Sequence, residues 1–286
     1  MNNMLFSKTD LRKLIVPLIF EQTLAITVGM ADTMMISSVG EAAVSGVSLV
    51  DMLNNLIISI LAALATGGAV VTSQFIGAGK KEQACFSAKQ LIYTAALITI
   101  GISALLMIFH RPVLNLFFGR IEADVMENAI IYLLISAVSF PFLAVYNSCA
   151  ALFRSMGNSA ITLKVSLLMN VINIVGNAIC VFGLHMGTAG VALPSLVSRA
   201  VAAFVLYVLL KNPDYTIHLL QGRFHFQADI VKKILQIGIP SGIENGIFQL
   251  GRVLVVSIIA GFGTVQIAAN GVANSLDSMG CIAGQA

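Results

Sequence analysis

Apolar runs of roughly 20 residues recur along the whole chain, separated by short polar stretches, and each is long enough to cross a hydrocarbon core of about 30 Å as an α-helix. A helix satisfies its backbone polar groups within its own segment, which a lipid environment demands. A membrane-spanning β-barrel would need segments of about ten residues with alternating polarity, and the chain has no such pattern. A soluble fold is excluded by composition. Of the 286 residues, 58% are hydrophobic and 10% charged, whereas soluble domains carry about 25% charged residues. The fold class is therefore all-α, a polytopic membrane protein.

Eight apolar segments are expected, at 14–36, 48–75, 88–109, 129–150, 162–182, 189–210, 234–260 and from 266 onward. The last runs out at Gly280 to Ala286 with no basic flank, so the sequence reads as truncated. Lys8, Arg12, Lys13, Lys80, Lys81, Lys89, Arg154, Lys164, Lys211, Arg223, Lys232 and Lys233 fall on one side of the alternating spans. The other side receives Arg111 and Arg120, offset by Glu122, Asp124 and Glu127. The excess of Lys and Arg marks the cytoplasmic side, which puts the N-terminus inside. The same placement accounts for the net charge of +3 without a nucleic-acid partner, since the basic residues form no continuous stripe. Basic residues before the first run resemble a signal peptide, but the run is too long and contains Glu21 and Asp32, which favours an uncleaved span. Cys85, Cys149, Cys180 and Cys281 lack CxxC spacing and read as packing residues.

Residues 211–233 have a mixed polar composition after six spans, dividing the chain into a six-helix lobe at 1–210, a cytoplasmic linker and an incomplete second lobe at 234–286. A weak internal repeat accompanies this division. Shifting the chain by 223 positions pairs Pro17 with Pro240, Glu21 with Glu244, Gln22 with Asn245 and Gly40 with Gly263. Each copy continues into a helix dotted with polar residues, Asn54 and Asn55 in the first and Asn274 and Asp277 in the second. Such repeats are common in secondary transporters, with the substrate site between the halves.

Ionisable groups within spans are costly and mark functional positions by default. Asp32 lies eleven residues after Glu21, which at about 100° per residue puts both acids on one helix face, roughly 16 Å apart. A carboxylate there can exchange a proton, coordinate a hard cation such as sodium, or serve as a paired structural acid. Asn170, Asn173 and Asn177 recur at spacings of three and four and form one polar stripe, able to hold an ion, bond Asp32, line a cavity or simply join helices. Glu21 and Glu244 each follow a proline by one turn, which fits either a bending gate or a static kink with a snorkelling acid. Arg199 and Arg252 fall inside spans six and seven; Arg252 calls for an acidic partner such as Glu244 or Asp277, and Arg199 is a tether or a contact for an anionic group. Gly77-Ala78-Gly79-Lys80 lacks the full phosphate-loop pattern and fits a glycine cap closing a helix. The scattered histidines give no zinc spacing, and neither HExxH nor GxSxG is present, so no catalytic residues are expected.

Several stretches together resemble the multidrug and toxic compound extrusion family, MATE. These are Pro17 through Val28-Gly29-Met30-Ala31-Asp32-Thr33 to Ser38-Val39-Gly40, Ser73-Gln74 with Gly77-Ala78-Gly79, Ala151 through Arg154-Ser155-Met156-Gly157-Asn158, and Asn173, Asn177 and Phe182-Gly183 followed by Gly187 and Gly190. The resemblance covers the whole chain. It implies twelve spans in two six-helix lobes and export of amphiphilic, often cationic, organic compounds against proton or sodium flow. Asp32 matches the family's cation-site acid, with Asn173 and Asn177 beside it as the expected coupling site. Asn177 stands where some members carry an acid, and Phe248 where many have a span-seven acid. The resemblance implies no cofactor beyond the coupling ion, a monomer in a lipid bilayer, and the cell membrane as its location. A lipid-linked saccharide flippase of the same superfamily is the alternative and would need several cationic residues, of which only Arg199 and Arg252 stand in the spans. A non-catalytic structural membrane protein would not need Asp32 or the asparagine stripe.

Overall fold

The computed structural model describes residues 8–118, 122–219 and 225–260. The eighth segment, with Gly263, Asn274 and Asp277, lies outside the described residues. The rest is helical, in the order α1 Lys8–Ser37, α2 Glu41–Gly77, α3 Lys81–Ile108, α4 His110–Phe118, α5 Ala123–Ser155, α6 Ser159–Ala178, α7 Ala189–Leu209 and α8 Ala228–Ala260. A π-helical turn, Ile179–Gly183, extends α6. Six of the described helices (α1, α2, α3, α5, α6 with its π turn, and α7) are long and apolar enough to cross a membrane. They coincide with the first six expected segments, and α8 runs through the seventh. The short α4 is not foreseen; it begins His110-Arg111-Pro112, where a proline in the first turn sacrifices no helical hydrogen bond.

The bundle is assembled through bare backbone. A Cβ added to Gly46 of α2 would come within 2.9 Å of Ala129 N and Val125 O in α5. One at Gly176 of α6 would meet Pro194 of α7 at 2.7 Å, and one at Gly67 of α2 would meet Gly238 N of α8 at 2.7 Å. Gly238, Gly242 and Gly246 of α8 are all buried, and all face α2, through Leu64, Ala63 and Leu56 respectively. Small residues at four-residue spacing let helices approach closely where lipid offers no hydrophobic drive for association.

Around these contacts the core is filled by Leu91, Leu133, Phe140, Leu152, Phe153, Leu206 and Leu210. Outward-facing Leu97, Ile108, Leu116 and Phe204 are 70%, 69%, 80% and 68% exposed. This polarity suits a lipid surround. The stripe on α6 points inward as expected: Asn170, Asn173 and Asn177 are buried while Val171 and Val175 are exposed.

Two turns share one construction. At the end of α2, Gly79 has φ +73 and donates to Ile76 O at 2.9 Å, and Lys80 N bonds Phe75 O at 2.9 Å. At the end of α5, Gly157 has φ +76 and donates to Arg154 O, with Asn158 N on Phe153 O, both at 2.9 Å. These are Schellman caps, in which a left-handed glycine satisfies the last carbonyls of the helix. The expected glycine cap at Gly77-Ala78-Gly79 is therefore present. Between α7 and α8 the connection is shorter than the expected linker, because α8 already begins at Ala228. Its first half is not a solvated tether: Ile217 and Leu219 are buried, and Leu219 N bonds Leu210 O at 2.8 Å.

Gly46→Ala forces α2 off the α5 backbone and is expected to cost about 1–3 kcal/mol, as overpacking does. Gly101→Ala, where the new methyl meets nothing within 4 Å, is the control and leaves the thermal midpoint in detergent unchanged or slightly raised.

Candidate functional site

Asp32 sits near the end of α1, and its carboxylate accepts a hydrogen bond from Asn177 Nδ2 of α6 at 2.6 Å. Asn177 Nδ2 also lies 3.3 Å from Asn173 Oδ1, and Asn173 Nδ2 donates to Ser195 Oγ of α7 at 2.8 Å. The fully buried Asn177 retains an Oδ1 with no hydrogen-bond partner. A carboxylate, amide oxygens and a serine hydroxyl thus converge where α1, α6 and α7 meet. That is a donor set of the kind that takes a proton or a hard monovalent cation. Among the described residues no three His, Cys, Asp or Glu side chains gather as a metal site, so a cation here would rest on one carboxylate and neutral oxygens. Asn170 is buried on the same face, with its Nδ2 unpartnered.

Glu21 faces α6 as well, as the eleven-residue spacing from Asp32 requires, but it belongs to a separate cluster. Its Oε1 lies 3.5 Å from Arg154 Nη2 and accepts from Tyr146 Oη at 3.5 Å, while Thr162 Oγ1 donates to Oε2 at 3.4 Å. Arg154, grouped by sequence with the loop charges, folds back onto this span. Glu244 is exposed on α8, away from both clusters. Arg252 lies on α8, but its side chain is outside the described residues.

Arg199 is brought close to the Asp32 site. It lies one turn after Ser195 on α7, and its Nη1 donates to Ser139 Oγ of α5 at 2.7 Å. Ser139 Oγ in turn bonds Ser136 O at 2.7 Å, and Asn54 Nδ2 of α2 reaches both Ser136 Oγ at 3.4 Å and Asp51 Oδ1 at 3.3 Å. Tyr132, one turn before Ser136, hydrogen-bonds the Asp51 carboxylate. Arg199 is within electrostatic reach of both Asp51 and Asp32.

Sequence reasoning missed Asp51, Tyr132, Ser136, Ser139 and Ser195. Asp51 was hidden because span two was read from residue 48, so that an acid three residues in looked interfacial, whereas α2 begins at Glu41. The available signal was Tyr132, Ser136 and Ser139 at intervals of four and three, a polar stripe on α5 like the one on α6.

The MatE family model matches residues 17–179, which include the Asp32–Asn177 pair. The chain belongs to the MatE family. The uncharacterized transporter YisQ of Bacillus subtilis (strain 168) is 30% identical over 251 residues, covering 86% of this chain and 55% of that protein. The probable multidrug resistance protein NorM of Thermotoga maritima is 28% identical over 280 residues, 95% of this chain and 59% of its own. The chain thus spans 55% and 59% of these two relatives. Among solved structures, a MOP superfamily transporter from Pyrococcus furiosus superposes with a TM-score of 0.88 at 20% identity, over 96% of this chain and 61% of that one. A MATE protein in a bent conformation gives 0.87 at 20% identity, over 96% and 62%. The multi-pass MATE fold is shared.

Asn177→Leu removes the donor to Asp32 and is expected to cost about 1.5–3 kcal/mol, the range for a hydrogen bond to a charged group. Asn170→Leu, which removes an unpartnered Nδ2, costs less; denaturation of the two purified variants side by side makes the comparison.

Proposed function

We propose that this MatE-family chain works as a cation-coupled antiporter, exporting amphiphilic organic compounds, typically cationic, by alternating access. The supporting observation is the half-buried Asp32 carboxylate, bonded by Asn177 and backed by Asn173 and Ser195 at the junction of three helices. Such a group can hold a proton or a sodium ion in one arrangement of the helices and give it up when α1 shifts relative to α6. The names of relatives, which include multidrug resistance and multidrug export proteins, agree with drug-like substrates.

In this reading the coupling ion is the only non-protein participant besides substrate and lipid, and no step of covalent catalysis is involved. The chain acts as a monomer in the cell membrane with its N-terminus in the cytoplasm. The Lys and Arg distribution supports that orientation. The Gly79 turn and the 210–219 segment fold onto one end of the bundle, where Cys85 Sγ meets the Thr216 carbonyl at 3.8 Å. The flippase alternative has less support, since Arg199 is engaged by Ser139 rather than presented to an anionic headgroup.

In membrane vesicles carrying the protein expressed from its complete gene, ethidium or norfloxacin efflux should follow an imposed proton or sodium gradient. Asp32→Asn should lower it at least about tenfold, as loss of an interaction on which a step depends does. Undiminished gradient-driven efflux by a normally expressed Asp32→Asn protein would remove Asp32 from the mechanism.

A further inference from the structure

The polar contacts form two runs that one turn of α7 joins into a path through the bundle. From Asp32 on α1 it passes through Asn177 and Asn173 on α6 to Ser195 on α7, and along one turn of α7 to Arg199. It then crosses through Ser139 and Ser136 on α5 to Asn54 and Asp51 on α2, with Tyr132 closing the far end. Two carboxylates therefore stand at the ends of a path with one guanidinium between them.

We propose that Asp51 and Arg199 are the charge-setting pair of the cation site, Arg199 serving as a tethered counter-ion that offsets one of the two acids. The inference deepens the antiporter reading and rests on it for the role of Asp32. An arginine keeps its charge in any protein setting. With both carboxylates ionised the cluster carries a formal charge of −1, so a single monovalent cation brings it to neutrality.

The two acids are not equivalent, and the donors around them say which one Arg199 offsets. Asp51 accepts from two donors, Tyr132 and Asn54. Asp32 receives Asn177. Asn54 and Asn177, buried beside Asp51 and Asp32 respectively, each keep an Oδ1 with no partner. Asp51 is thus the acid solvated by the protein, and Asp32 the one left to take its partner from outside. Such a division gives selectivity: a second, divalent or doubly protonated load would leave the bundle with excess positive charge in a medium that tolerates none.

The proposal makes a signed pattern. A cation that binds the folded protein raises its thermal midpoint, so the full chain purified in detergent is melted in sodium chloride against choline chloride, and at acidic against alkaline pH, without any drug. Wild type shows a shift with one of the two ions. Asp51→Asn leaves Asp32 and Arg199 to cancel each other and loses the shift. Arg199→Gln leaves two unbalanced acids and about doubles it. The double variant Asp51→Asn/Arg199→Gln again carries −1 and recovers the wild-type shift. A wild-type-sized shift in Asp51→Asn, or no recovery in the double variant, overturns the proposal. Should a single variant fail to fold, the double variant and Arg199→Lys, both charge-conserving, decide it: both keep the shift, and its loss in either overturns the proposal. Failure of the antiporter reading appears elsewhere, as absent efflux with these ion-dependent shifts intact.

Discussion

A carboxylate carried into a membrane must be given donors by the protein around it, and the position of α1 follows from how that need is met. Little of α1 is buried; Val28, Met35 and Ile36 are its only core side chains among those described. Two of its acids provide directional contacts, Asp32 with Asn177 and Glu21 with Arg154, Tyr146 and Thr162. Apolar packing against lipid and against protein are nearly equivalent, so polar contacts discriminate between positions of a membrane helix better than greasy ones do. The helix is therefore located by groups that a change of protonation or ion occupancy can alter.

Elsewhere the bundle is fixed by different means. Gly46, Gly67 and Gly176 bring backbones or a proline ring to distances that admit no side chain. The two Schellman turns at Gly79 and Gly157 end α2 and α5 in the same way and at the same end of the bundle. The frame formed by α2, α5, α6 and α7 is thus set by shape, whereas α1 is set by charge.

The helical class and the six apolar spans were legible because a span needs many consecutive apolar residues and the chain has few charges to blur them. The asparagine stripe was legible for the same reason: three amides at helical spacing in an apolar run have nowhere to face but inward. The boundaries were not. Hydropathy starts a span where apolar residues dominate, but α2 begins seven residues before the expected start, at Glu41, and this early start moves Asp51 from the span's edge to its third turn. The pairing of Arg154 escaped notice because a basic residue near a span end reads as a topology signal, and only the fold reveals Glu21 opposite it. The Arg199 cluster as a whole was out of reach because its members come from three helices, α2, α5 and α7, and no window along the sequence contains them together.

The contact between α2 and α8 has a mechanical side. Where Gly238, Gly242 and Gly246 lie along α2, α8 offers no side chains of its own, and Leu64, Ala63 and Leu56 of α2 rest on bare backbone. Interlocked side chains resist translation like the teeth of a rack, whereas a glycine track offers a nearly even surface. Along this seam a small slide of α8 would not drag glycine-face side chains of its own across those of α2.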